Sequence, residues 1–597
     1  MKRLQILLAL TILTASLLVG CGGGGGGGVP SGVSGTGGGT VSSTTGTSTV
    51  IPYATPDAGA TPTPTPTPVP NTTLSVTYST GVLPTGTTTI LATAYDGTGT
   101  TVFGRNSYAA GSTLTLQNVS NEATQLRIEY WIDQTRCLGM SFIPLSLKKI
   151  TSWKDPPIIP AVTLSVLGRK GLLATPTWVA CQDGPGAWTM LTASYTGLYA
   201  FPVRGASGAY GVGVGVLSTH GGTGGGTSSQ SVFFQHATLA ETATPQVKAE
   251  IGSPGSGSGL VTLTVTPTIS GVQVSGDVFG MGGGESGRLV LTPTLFANLS
   301  DGGGYYAIAN VSYGLYGVFA LKGVGYQSAG VFDNSKIDSI FFDSLRIPSG
   351  SSDITFNADF GDTTKARPPV DRLAHLLGGG ADTLAGTVSL TAPRESRVDV
   401  STYDSATQTI NYKGFPTASP SPSPSPSPGG GTSGGSETLI PLHLLNAVAT
   451  DSTGFGIRTI QHFFLEPVDL DESFVTNPYG SVTMGAGSVN FTPYAGAQVY
   501  QAVLSNSATD ATMKWTVSWT PGYLGGGSTY AYTFPNVAAI SGLDSSWQYA
   551  SNSQWTLEAL NAGNTMTLEQ LLAGLGEGSD GMRVVGAGQQ GTLSTAP

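Results

Sequence analysis

QLRIEYWID, residues 125–133, alternates apolar Leu126, Ile128 and Tyr130 with Arg127 and Glu129. Successive side chains of a strand point to opposite faces, so this stretch reads as a strand with one face in a core. The same rhythm runs through TLSVTYSTG (73–81), TTTILATAYDGTG (87–99) and STLTLQNVS (112–120), with Gly, Asn and Asp between the runs. A period of two punctuated by turn residues about every 8–12 positions is the pattern of a β-sandwich. The expected fold class is therefore all-β, with sandwich modules in tandem joined by disordered Gly/Ser/Thr-rich and Pro-rich linkers.

Residues 71–160 read as one Ig-like or prealbumin-like sandwich, and 161–262 as a second β unit. Within the second unit, WVACQDGPGAWTML (178–191) suggests two strands about a turn, and AYGVGVGVL (209–217) and SVFFQHATLAE (231–241) keep the rhythm. Residues 363–415 hold a short helix candidate, PPVDRLAHLLGGG (368–380), opened by proline and closed by glycine. Strands TLAGTVSLTA (383–392), RVDVSTYD (397–404) and QTINYKGF (408–415) follow it. SPSPSPSPSPGGGTSGGS (419–436) then makes 416–436 either an interdomain linker or a long internal loop. Its composition of stiff Pro-rich spacer and glycine hinge favours the linker. Residues 437–597 are a C-terminal β domain in which Trp515, Val517 and Trp519 line one face as core. Thr567 to Gln570 form a capping box ahead of LEQLLAGLG (568–576), a credible helix.

Residues 263–362 carry a family likeness. GVQVSGDVFG contains Ser275-Gly276-Asp277-Val278. Further on come Asp301, Gly304, Tyr306, Asn310, Val311, Gly314, Tyr316, Gly325 and Tyr326, and then a closing strand ITFNADF (354–360). The order and spacing of these residues resemble the carboxypeptidase regulatory-like domain, a prealbumin-type sandwich, over about 266–362. The resemblance implies a structural or spacer module and transfers no catalytic residue.

The chain opens MKRLQILLALTILTASLLVGC, with Lys2 and Arg3 before an apolar run from Leu4 to Val19. The run has the length and small-residue ending of a secretory signal rather than of a membrane span. Leu18-Val19-Gly20-Cys21 resembles the lipobox of bacterial lipoproteins. That resemblance implies a signal peptide over 1–20 and a palmitate-type lipid on Cys21, which anchors the chain in the bilayer. Multiple acyl chains hold firmly, since each buried methylene contributes about 0.8 kcal/mol. Residues 21–70 would be a lipidated tether, glycine-rich and then Thr-Pro repeats (61–70) that extend as polyproline helix. Gly22 after the cysteine leans the address toward the outer membrane or cell surface.

Composition narrows the function. Only 10% of the 597 residues are charged and the net charge is −10. Nucleic-acid binding needs a basic footprint, so no nucleic-acid partner is expected. The five histidines, His220, His236, His375, His443 and His462, show no metal-ligand spacing, and no metal cofactor is expected. EPVDLDESF (466–474) offers Asp469, Asp471 and Glu472 as a calcium candidate, against a solvated acidic loop. GTSGG (431–435) mimics a nucleophile elbow but lies in the glycine hinge, without a rigid strand-to-helix turn. GEGSDG (576–581) and GAGQQG (586–591) mimic a dinucleotide fingerprint but lack the βαβ unit. With Cys21 lipidated, Cys137 and Cys181 remain as a candidate disulfide or as two separate buried thiols.

These observations point to a bacterial cell-envelope lipoprotein that acts in display, adhesion or binding, without catalysis and without a cofactor beyond its lipid. The alternative is a carbohydrate-active or peptidase-type surface enzyme with accessory β modules. Beyond the bilayer, the expected partner is a surface glycan or protein. Trp131, Trp153, Trp178 and Trp188 are the candidate ligand-facing aromatics.

Overall fold

A computed structural model describes residues 72–76 and 83–593, with breaks of which the longest are 146–156, 249–271 and 418–440. The described chain is almost entirely β, arranged in several sheets. None of its helices is long and apolar enough to cross a membrane, a statement that does not extend to strands.

The first sheet runs 198–202, 159–167, 136–144, 125–132, 89–95, 102–109, and 246–248 adds in parallel to 159–167. One face packs Ile90, Ala92, Ile128 and Tyr130 against Leu114, Leu116 and Val119 of the facing strand pair 72–76/114–119. The opposite face is also covered. Leu91, Trp131, Cys137 and Met140 pack on Ala161, Leu198 and Ala200. The alternation in QLRIEYWID is therefore real, yet its polar side, Arg127 and Glu129, is buried as well. Strand Ile159–Leu167 crosses the border expected at 160/161, so the first two sequence units share a sheet.

Residues 272–367 form a sandwich. Strands 304–311, 272–279, 353–355 and 358–359 make one sheet, and 295–299, 285–292, 314–324, 339–347 and 366–367 make the other. Tyr306, Ile308 and Val311 meet Tyr316, Val318 and Ala320 in the core between them. The far side of the second sheet is not free. Val290, Phe319, Leu321 and Ile340 pack on Val398, Val400 and Phe415.

Among the described residues the largest sheet has thirteen strands. It runs from 398–399 and 389–392 through 443–450, 456–464, 583–592, 554–561, 499–508 and 511–519. It continues into 227–238, 209–220, 178–183 and 189–190, and 383–384 also pairs with 443–450. Its seam is the parallel pairing of Thr227–Thr238 with Ala511–Trp519, from Ser228 beside Ala511 to His236 beside Trp519. The 161–262 and 437–597 segments thus complete one sheet. Trp515, Val517 and Trp519 are fully buried on one face beneath Val489, Phe491, Tyr530 and Tyr532 of a small three-stranded sheet. On the other face, helix Leu568–Ala573 sets Leu571 and Leu572 over Val499, Leu560 and Val584. The helix opens with the expected capping box of Thr567 and Gln570.

Two expectations are corrected. PPVDRLAHLLGGG contains no helix among its described residues, because Val370–Leu377 is a strand. It pairs antiparallel with Thr409–Gly414 and parallel with Leu470–Ser473, and it buries Ala374 and Leu376. An eight-residue helix is marginal alone, and two ladders of strand hydrogen bonds outweigh its propensity. The Ser-Pro run is an internal connection rather than a boundary. Strands before it, 370–377 and 389–392, pair with 470–473 and 443–450 after it.

Candidate functional site

Cys21 and Trp153 lie outside the described residues. Cys137 and Cys181 are both free thiols, not a bridge. Cys137 sits between the first and second β units, where its amide donates to Thr163 Oγ1 (2.8 Å) and its thiol to Gly139 O (3.3 Å). Cys181 packs in a different cluster, beside Val179 and Val212. Burial raises both thiols, Cys181 to about 12, so neither supplies a ready thiolate.

The other tryptophans do not form a ligand-facing patch. Trp131 is fully buried, and its indole N–H donates to Glu129 Oε2 at 2.9 Å. Glu129 also takes Arg127 Nη2 at 2.7 Å, and the Arg127 guanidinium lies 4.5 Å over the Tyr95 ring. A buried carboxylate needs such partners, and the constellation ties strand 125–132 to its neighbour 89–95 within the first sheet. Trp178 is buried edge-on to Trp547 (5.8 Å between centroids). Trp188 is partly buried against Phe234 (5.1 Å) and His236 (5.8 Å).

The acidic stretch 466–474 forms a strand clamp rather than a calcium loop. Asp469 and Asp471 are exposed, and Asp469 accepts from the Leu373 amide at 2.9 Å. Glu472, 3% exposed, faces the other way on strand Leu470–Ser473. Its two oxygens take His462 Nδ1 at 2.7 Å and Arg583 Nε at 2.8 Å, which ties three strands together. Burial alone would raise this carboxyl, but the bonds from His462 and Arg583 outweigh that and hold it below the usual range. Among the described residues, no three His, Cys, Asp or Glu side chains converge as metal ligands.

Two buried titratable groups lie in the large sheet. His236 Nε2 bonds the Tyr532 hydroxyl inside an aromatic shell of Trp188, Tyr523 and Tyr532. Its Nδ1 has no partner, and burial pushes the imidazole down to about 3. Glu558 lies on the opposite face, in a row with half-buried Gln501 and buried Ser518 and Gln235 on successive strands. Burial pushes it up to about 7 despite the 3.4 Å bond from Thr459 Oγ1. The neighbouring strand 583–592 leaves room for it with Gly586 and Gly588. Those glycines belong to GAGQQG, whose role is thus steric: a Cβ at Gly588 would come within 2.0 Å of Leu557 O.

The exposed aromatics lie elsewhere. On the outer face of the 272–360 sheet, Tyr305 is 69% and Phe279 49% exposed. Period two through GYYAIANV already sends one tyrosine of the Tyr305-Tyr306 pair inward and the other out. Attention to tryptophan alone missed that signal.

No family model and no curated protein matches the chain. Among solved structures it is similar to a putative adhesin from Bacteroides ovatus, at 11% identity and a TM-score of 0.14, over 36% of this chain and 99% of that one. It is also similar to trypsin-activated alpha-2-macroglobulin from Escherichia coli, at 9% identity and a TM-score of 0.10, over 83% of this chain and 47% of that one. Neither likeness is close enough to transfer a fold or a role.

Proposed function

We propose that the chain is a cell-envelope lipoprotein, anchored in the outer membrane or at the cell surface through Cys21, that displays a rigid β body for adhesion or binding without catalysis. One observation carries the reading. Leu18-Val19-Gly20-Cys21 is followed by about fifty residues of glycine-rich and Thr-Pro sequence, and only then by strand-forming sequence. A lipid, a soft tether and a stiff spacer are what a displayed body requires. The fold fits this use, since Trp131, Trp178, Trp515 and Trp519 are spent on cores and the carboxylates of Glu129 and Glu472 on buried clamps. The 266–362 module, with its likeness to the carboxypeptidase regulatory-like domain, serves as a spacer or presenting unit.

The test is metabolic labelling with a palmitate analogue in a bacterial host. The wild-type chain takes the label and Cys21→Ser does not. A labelled Cys21→Ser protein, or an unlabelled wild type, overturns the anchor. Whole-cell protease shaving then places the body, with digestion of intact cells expected for surface display.

A further inference from the structure

We propose that the outer face of the sheet formed by 272–279, 304–311, 353–355 and 358–359 is a glycan-binding surface. The proposal rests on the binding reading above and gives it a ligand class.

The face is built by strict alternation. In Val272–Phe279 the buried residues are Val272, Val274, Gly276 and Val278, so Gln273, Ser275, Asp277 and Phe279 point outward. In Gly304–Val311, Tyr306 and Ile308 go to the core, and Tyr305 and Ala307 point outward. Register sets the outward residues side by side. Tyr305 stands directly opposite Asp277, Ala307 opposite Ser275, and Phe279 beside Asp359 on the other neighbouring strand. Each exposed ring therefore has an exposed aspartate as its cross-strand neighbour. The two rings are diagonal neighbours, a relation that spans about 7–8 Å on such a sheet. Small Ala307 and Ser275 leave the rings standing above the surface. The Asn357 carboxamide oxygen accepts from the Asp277 amide at 3.0 Å, which ties the 356–359 edge to this strand.

The chemistry fits a sugar. The face of an aromatic ring is electron-rich, and the C–H side of a pyranose presents slightly positive hydrogens to it. A carboxylate beside each ring accepts strong charge-assisted bonds from the sugar hydroxyls. Size argues against a protein partner. Two rings at these exposures offer roughly 240 Å² of apolar area, taking ~200 Å² per ring. A stable protein interface buries about 800 Å² on each side. The patch suits two or three pyranose rings.

The test uses the full chain carrying Cys21→Ser, without detergent glycosides. It is titrated by calorimetry against maltohexaose, cellohexaose, chitohexaose, xylohexaose, mannohexaose and laminarihexaose. At least one binds, Tyr305→Ala or Phe279→Ala weakens it at least tenfold, and Asp277→Asn with Asp359→Asn weakens it severalfold. All four positions are exposed, so circular dichroism and the unfolding midpoint stay unchanged. Failure of all six sugars at millimolar concentration overturns the proposal, as does binding that survives the Tyr305→Ala/Phe279→Ala double variant. Palmitate labelling is read separately, so loss of the glycan site leaves the anchor standing, and the reverse.

Discussion

At the scale of single residues, the large sheet holds two groups whose protonation opposes each other. Glu558 folds with a value of about 7 against an ordinary 4.5, so the fold favours its protonated form. The stability it contributes is complete below pH 4.5 and is lost as pH rises through 7. His236 folds with a value of about 3 against 6.5, so the fold favours its neutral form. Its contribution is complete above pH 6.5 and is lost as pH falls toward 3. Between pH 4.5 and 6.5 the two slopes partly cancel. Glu558→Gln keeps a hydrogen-bonding group beside Thr459 and removes the titration. Urea unfolding at pH 5 and pH 8 should show the difference between the two pH values shift by about 2–3 kcal/mol in the variant, at 1.36 kcal/mol per unit. An unchanged difference would mean that Glu558 ionises in the fold without cost.

At the scale of elements, the sequence was most legible where one face met water. Strands 272–279 and 304–311 keep their period of two with one face exposed, and their inward faces are the ones the alternation names. Legibility failed where tertiary partners covered the second face. Arg127 and Glu129 look like a solvated side until strands 159–167 and 198–202, further along the same sheet, cover the face that Trp131 shares with them. Val370–Leu377 looks helical because local propensity carries no information about strands that arrive from residues 409 and 470. Of the candidate site residues, Glu472 was noticed for its charge, but its partners lie 10 and 111 positions away, so the clamp could not be read locally. The capping box was legible because all its parts lie within four residues. Two variants rank these effects. Thr567→Ala removes one cap and should cost about 1 kcal/mol. Gly588→Ala drives a methyl into the Leu557 carbonyl in a sheet interior and should cost more, since backbone must move. Equal midpoints in thermal unfolding would mean that the glycine floor is not needed.

At the scale of the whole molecule, the segments do not follow one another like beads. Strand Ile159–Leu167 joins the first unit to the second, and the seam at 227–238 joins the second to the last. Strands on both sides of the Ser-Pro run pair with each other. A protease that cuts once within 418–440 should therefore leave both fragments together on size exclusion, and only denaturant should part them. Fragments that elute apart would show that these ladders are too weak to hold the body.

The seam also sets a timetable for biogenesis. A chain synthesised from its N-terminus delivers Thr227–Thr238 long before Ala511–Trp519 can reach it. During that interval one side of the earlier strand offers unsatisfied amides and carbonyls, with Val232 and Phe234 bare beside them. Pairings this distant in sequence form slowly, and such an edge is a template for the wrong neighbour. A message truncated before residue 511 would thus release an aggregation-prone intermediate rather than a smaller working protein.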